Sequence, residues 1–222
     1  MKLPISKRLL LCTELITSCD TVADVGTDHG YLPVFLCRSG RIPSALACDI
    51  NPLPLQSARE NIARYGLSDR IEPRLSDGLR EVRQTEVDDI VIAGMGGELI
   101  RDILSAAPWV KSPDKRLILQ PMTHHEDLLK WLFENGFAIL RQEAVLDEGK
   151  YYTVLSAVCD GKVRDCGLFD CIVGRLEPAD PLCRGFLSRC LNNLRNRSKG
   201  DPSLLPIIRR IEEYIHVDQG DR

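Results

Sequence analysis

Apolar and polar positions along this chain follow two alternating rhythms. Short, nearly continuous apolar runs fall at Thr21–Val25, Ala45–Asp49, Ile71–Leu75, Asp89–Ala93, Arg116–Gln120, Gly136–Leu146 and Tyr151–Cys159. Their length and the turn residues that bound them predict strands. Between them the apolar residues recur at helical spacing. The clearest such stretch opens at Asn51-Pro52, a capping residue followed by proline at the first helical position. It carries Leu55, Ala58, Ile62 and Tyr65 on one face and stops at Gly66. A second runs from Gly96 to Ala107 with Leu99, Ile100, Ile103 and Leu104 on its stripe, and Pro108 ends it. A third is predicted to start at Thr123-x-x-Glu126, a capping box, and to end at Gly136. Leu9, Leu10, Leu15 and Ile16 predict a further helix over Ser6–Ser18.

Strands that alternate with helices imply right-handed crossovers and a mainly parallel, doubly wound α/β sheet. Only Asp147-Glu148-Gly149-Lys150 separates the last two strands, which permits a hairpin but no crossover helix. The predicted sheet is therefore seven-stranded and finishes with an antiparallel pair. After Asp160 the pattern changes. Phe186, Leu187, Cys190, Leu191 and Leu194 form one helical stripe, and Leu204, Ile207, Ile208, Ile211 and Ile215 form another. The turn Asn196–Pro202 between them predicts an antiparallel helical hairpin. The chain is thus expected to divide into an α/β unit over 1–160 and a helical unit over 161–222, without internal repeats.

Composition removes several classes. At 222 residues, 44% apolar and 27% charged, the chain is an ordinary globular protein. Its 29 basic and 32 acidic residues leave a net charge of −3, so any anionic partner must be met by local charge. No apolar run approaches the ~18 residues of a membrane span. The opening Met1–Cys12 imitates a signal peptide, but Thr13-Glu14 ends the apolar stretch too early. The nine cysteines contain no Cys-x-x-Cys pair and read as reduced thiols of a cytoplasmic protein without a metal centre. His124 and His125 are adjacent in a predicted first turn, where their rings diverge, which argues against ligation of one ion.

The chemistry-bearing residues gather at predicted strand ends. Asp24-Val25-Gly26-Thr27-Asp28-His29-Gly30 sits where the first strand turns into a helix, a place where free N–H groups meet a ligand. Asp28 stands where a dinucleotide fingerprint has its second glycine. A carboxylate there repels pyrophosphate and suits a cationic ligand, such as the sulfonium and ammonium of S-adenosylmethionine; an ordinary strand–helix turn is the plainer alternative. Asp49, 25 residues after Asp24, is placed to accept from ribose hydroxyls. Asp77-Gly78 fits a contact to an adenine amino group, although Asn51 and Asp77 could equally serve as helix caps. Ala93-Gly94-Met95-Gly96-Gly97 follows the fourth strand, and its three glycines are costly for a plain turn. One of Tyr151 and Tyr152 is expected in the core and the other against a nucleobase.

Asp24–Pro33, Asp49-Ile-Asn-Pro52, Ile92-Ala-Gly-Met-Gly-Gly97, Leu119-Gln-Pro121 and Gly149-Lys-Tyr-Tyr152 together resemble the bacterial tRNA adenine-22 N1-methyltransferase family. Five parallel strands closed by an antiparallel hairpin is likewise the pattern of class I, Rossmann-like methyltransferases. The resemblance implies an S-adenosylmethionine-dependent enzyme that methylates N1 of an adenine in the D-loop region of tRNA. It implies a cofactor set of Asp24, Gly26, Thr27, Asp28, His29 and Gly30, then Asp49, Ile50 and Asn51, then Asp77 and Gly78, then Ala93, Gly94 and Met95. Asp28, Gly96 and Gly97 become the candidate catalytic positions. Cys166, Cys171, Cys183 and Cys190 belong to no motif of that family, and the last quarter matches it by architecture more than by residue.

The helical hairpin supplies a local charge. Within Arg184–Arg210 stand Arg184, Arg189, Arg195, Arg197, Lys199, Arg209 and Arg210 against Asp201 alone, seven minus one, or +6 over 27 residues. Such asymmetry predicts phosphate binding, with these residues and Tyr151 on the RNA. The expected partner is tRNA, met by a monomer or weak homodimer. Small-molecule methylation with a dimerising hairpin, and a non-catalytic RNA-binding module, are the alternatives.

Overall fold

A computed structural model describes residues 3–17 and 21–216 of the chain. Its centre is a seven-stranded sheet: β1 Thr21–Val25, β2 Ser44–Asp49, β3 Ile71–Leu75, β4 Asp89–Met95, β5 Arg116–Pro121, β6 Phe137–Asp147 and β7 Lys150–Cys159. The order across the sheet is β3-β2-β1-β4-β5-β7-β6. β1 to β5 are parallel, with Ala23 beside Leu46 on one side and Ile90 on the other. β7 runs antiparallel to both neighbours, pairing Leu155 with Leu119 of β5 and with Gln142 of β6. Every parallel strand therefore ends at the same edge.

Strands buried on both faces need apolar residues at successive positions, and the central ones have them. Ile90 and Ile92 of β4 and Leu117 and Leu119 of β5 face one layer, made by α4 (Gly97–Ser105) and α5 (His125–Glu134). Val91 and Ile118 face the other, made by α1 (Lys7–Leu15), α2 (Tyr31–Arg38) and α3 (Pro52–Arg64). Each fully buried Ile or Leu contributes about 1.5–3 kcal/mol. The three helices that follow, α6 (Leu168–Val173), α7 (Pro181–Ser198) and α8 (Leu205–His216), enclose a third core. There Phe186, Leu187, Leu194, Ile208 and Ile211 pack on Ala144 of β6.

Three local expectations are corrected. Thr123 does not cap α5: the N-cap is His124 in a left-handed conformation (φ 53°), and no side chain caps the helix. The Thr123 carbonyl is instead taken by the amide of Gly97 at 2.8 Å, a tertiary bond that fixes where the helix starts. α1 ends at Leu15, its first turn capped by Ser6 onto the amide of Leu9; Ser18 lies outside the described residues, as does Cys19. α6, only six residues long, was not read from the pattern at all.

α7 is seated on the sheet by a close approach. Any Cβ at Gly185 would collide with the ring of Tyr151 at the start of β7. The guanidinium of Arg189, one turn on, donates to the Tyr151 carbonyl. Gly185→Ala is expected to cost about 1–3 kcal/mol through overpacking. Tyr151→Ala in the same chain should recover part of that loss, a coupling that a double-mutant cycle in urea unfolding measures.

Candidate active site

Four loops meet at the edge where the parallel strands end. The first follows β1. Amides of Gly26 and Thr27 donate to the Cys48 carbonyl of β2 at 2.8 and 2.9 Å, so the loop is pinned to the neighbouring strand. It then alternates through left-handed residues, Gly26 (φ 75°), Asp28 (φ 53°) and Gly30 (φ 69°). Aspartate is one of the few residues with a side chain that visits this region. Asp28 can therefore stand where a glycine would, and its carboxylate is left exposed with the His29 imidazole 3.6 Å away. His29 stacks on Tyr31, and its carbonyl accepts from Asn61 of α3 at 2.9 Å.

Two acids beneath this loop are buried. Asp24 accepts from the Thr27 hydroxyl at 2.6 Å. Burial pushes its carboxyl up to about 6, Thr27 working against the rise and the negative charge of Asp49 adding to it. Asp49 divides its oxygens between two loops, one accepting from the Asp28 amide at 3.2 Å and the other from the Asn51 amide at 2.9 Å. Asn51 is the N-cap of α3 but makes no side-chain capping bond, and Ile50 beside it is exposed.

Asp77 is not a helix cap. The segment after β3 forms turns, and the Asp77 carboxylate pairs with Arg80 at 2.9 Å while half exposed. Gly78 follows with a positive φ of 60°, and a Cβ there would crowd the side chain of Ile103.

The glycine run begins within β4, which extends to Met95 rather than ending at Ala93, and continues into the fourth loop. Among the glycines of this run only Gly94 has a positive φ. Gly96 is the extended N-cap of α4. Gly97 is buried against the backbone of His124, with no room for a side chain of any size. Its constraint is internal packing, and a valine there damages the fold before it touches a ligand. Ala93 begins a β-bulge against β5, and the Met95 methyl rests over Gly26, joining the first loop to the fourth.

Two residues that sequence reasoning missed hold this loop. The Gln120 side chain, fully buried on β5, accepts from the Gly94 amide at 3.1 Å and from Arg8 of α1 at 3.2 Å. Its amide nitrogen donates to the Pro121 carbonyl at 2.9 Å. Arg8 also pairs with Asp147 at 3.5 Å. A polar residue directly after the apolar run Leu117–Leu119, before the strand ends at Pro121, is the available signal for Gln120; nothing marks Arg8.

The basic residues of the helical unit are less free than their charge implied. Arg184 donates to the Pro178 carbonyl at 2.9 Å, Arg210 lies 3.8 Å over the Phe169 ring, and Arg189 holds Tyr151. Arg195 pairs with Glu212 at 2.6 Å and Arg197 with Glu126 at 3.6 Å. Lys199 reaches Asn196 at 3.3 Å, and Arg209 is exposed. Tyr151 is half-buried beneath α7, and Tyr152 packs on the opposite core. The two histidines diverge. His124 is exposed with Glu98 and Asp127, ligand-capable atoms within 4.8 Å of one another, whereas His125 turns inward to Glu126.

Because the folded chain holds the Asp24 proton more tightly than an unfolded chain does, stability falls as pH rises from about 4 to about 6, and the full cost of the ionised carboxylate is present above that. Asp24→Asn is expected to raise the unfolding free energy at neutral pH by up to about 3 kcal/mol. The gain should vanish below about pH 4, where both states are protonated. Urea unfolding at the two pH values measures both.

A family model described as "Methyltransferase domain" matches residues 5–155. The tRNA (adenine(22)-N(1))-methyltransferase of Bacillus subtilis is 37% identical over 156 residues, 70% of this chain and 66% of that enzyme, just under two thirds of its length. Among solved structures, Streptococcus pneumoniae Sp1610 in complex with S-adenosyl-L-methionine is 33% identical with a TM-score of 0.86, covering 96% of this chain and 100% of that one. The B. subtilis M1A22 tRNA methyltransferase TrmK is 27% identical with a TM-score of 0.80, covering 97% of each chain. With a family model over residues 5–155 and a structural match that extends through the helical unit, the chain belongs to the bacterial tRNA (adenine-22-N1)-methyltransferase family of class I, S-adenosylmethionine-dependent enzymes.

Proposed function

We propose that this enzyme methylates N1 of an adenine in tRNA, with residues 1–160 holding the cofactor and 161–222 contributing to the hold on the RNA. The observation that carries the reading is the gathering of buried acids and glycine loops at one sheet edge, in a chain that matches tRNA methyltransferases along its length. The donor set fits the cofactor. Asp49 is 7% exposed at the end of β2 and suits ribose hydroxyls, and Asp77 is accessible for an adenine amino group. Asp24 and Asp28 give the first loop the negative charge that a sulfonium and an ammonium favour. When bound, S-adenosylmethionine supplies a methyl group activated on that sulfonium.

Adenine N1 has a lone pair and no proton to lose, so the side chains need only align the base and exclude water. Gln120 and Arg8 do so indirectly by fixing Gly94 and hence the run to Gly97. The product base is cationic, and the exposed carboxylate of Asp28 is the candidate for favouring that charge. An adenine paired through N1 must first leave its stack. Lys199 and Arg209 are exposed cations available to the phosphates of the RNA backbone, Arg195 being shared with Glu212. The free thiols of the eight described cysteines support a cytoplasmic setting, and the enzyme is read as a monomer or weak homodimer. Among the described residues no helix is long and apolar enough to cross a membrane.

Incubation with bulk tRNA and labelled S-adenosylmethionine, followed by nucleoside analysis, should yield 1-methyladenosine; label in small molecules only would overturn the reading. Asp49→Ala should weaken cofactor binding about ten- to a hundredfold by calorimetry, the value of a hydrogen bond to a charged acceptor. Cofactor affinity should also fall as pH drops through about 6, where Asp24 takes up its proton, and Asp24→Asn should flatten that profile. Lys199→Glu with Arg209→Glu should make the slope of log tRNA affinity against log salt shallower by about 2 while leaving cofactor affinity unchanged.

A further inference from the structure

A cavity of about 210 Å³ lies between the start of α5, the start of β7 and α7, and none of the proposed cofactor residues lines it. It is smaller than the roughly 300–1,000 Å³ of pockets that hold drug-sized molecules. That size suits a single nucleobase. The cavity is built onto the glycine loop: the Met122 amide donates to the Met95 carbonyl and the Gly97 amide to the Thr123 carbonyl, both at 2.8 Å. Met122 and Thr123 are part of its wall.

The lining combines two chemistries. Phe186 and the Tyr151 ring offer aromatic surface, with His125 edge-on to Phe186 at 5.0 Å. A void left by imperfect packing would be apolar, but this one is charged. Glu126 holds His125 at 3.1 Å and Arg197 at 3.6 Å, and Arg189 adds a further cation, so positive charge exceeds negative. Burial opposes a charged imidazole. The Cys190 sulfur and the Glu126 carboxylate nevertheless raise His125 to about 9, so it contributes to that excess at neutral pH. Asn193, exposed on α7, stands on the cavity lining. An asparagine amide matches the donor and acceptor on the N6/N7 edge of adenine.

We infer that this cavity receives the adenine nucleotide extruded from the RNA, its base among Phe186, Tyr151 and Asn193 and its phosphate on Arg197. The inference rests on the reading of the enzyme as an RNA adenine methyltransferase and adds the place where the acceptor is held. An extruded base loses its stacking partners, and an aromatic wall restores part of that contact. The positive rim keeps a phosphate at the mouth rather than inside.

Asn193→Trp tests the inference, since an exposed helix position accepts the indole without disturbing the core. The enzyme is first saturated with S-adenosylhomocysteine so that the cofactor site is closed to the probe, adenosine 5′-monophosphate. The wild type should bind this probe, and Asn193→Trp should bind it at least tenfold more weakly. Arg197→Gln should abolish the preference for the monophosphate over adenosine. With tRNA as substrate, Asn193→Trp should lower kcat at least tenfold at unchanged S-adenosylmethionine affinity. Wild-type turnover of tRNA by Asn193→Trp overturns the inference whatever the probe shows, and leaves the proposed activity standing. Probe binding that Asn193→Trp abolishes, in an enzyme that does not methylate tRNA at all, would instead sink the proposed activity and retain the nucleotide site.

Discussion

The Asp49 carboxylate is the joint on which the functional edge of the sheet depends. A parallel sheet leaves its strand ends close together but does nothing to fix the loops that leave them. Asp49 does so by accepting from the amides of Asp28 and Asn51, one in each of two loops. Burial, and then the negative charge of Asp49, makes the neighbouring Asp24 harder to ionise. The two acids therefore oppose each other. A cationic ligand relieves the conflict, so the same electrostatics that weakens the fold favours occupancy.

Gln120 performs the corresponding task on the other side. One buried amide, satisfied at both ends, joins Gly94 of the glycine loop to β5 and, through Arg8, to α1. Arg8 continues the connection to Asp147 at the end of β6. The hairpin of β6 and β7 in turn supports α7 through Tyr151. A chain of polar contacts thus runs from the glycine loop to the base of the helical unit, and it needs no large movement to register one against the other.

How much of this was legible differs with the range of the contact. Strand ends are readable to within one residue, except that β4 runs two residues further, to Met95, because an apolar run between turn residues fixes its own ends but a glycine run does not. The acids and glycines at those ends were readable for the same reason. The start of α5 was not, because a bond from Gly97 displaces Thr123 from the capping role its spacing advertises. The charge of the helical unit was visible, but its partners were not: Arg197 meets Glu126 and Arg189 meets the Tyr151 carbonyl across long stretches of chain. Gln120 stood in a quoted motif, yet its role appears only once Gly94 is placed beside it.

The seat of Gly185 on Tyr151 carries a consequence for how such a protein can change over time. It sets the rotation of α7 about its own axis, and with it which positions face the cavity. Each residue along a helix advances about 100°, so inserting or deleting one residue between Gly185 and Asn193 would swing Asn193 and Arg197 out of register with the wall. Substitutions on that face alter only what is recognised, whereas a change in length removes the face itself. This stretch of α7 is therefore free to drift in sequence but held to a fixed count, and diversity among relatives should accumulate there as replacements rather than as gaps.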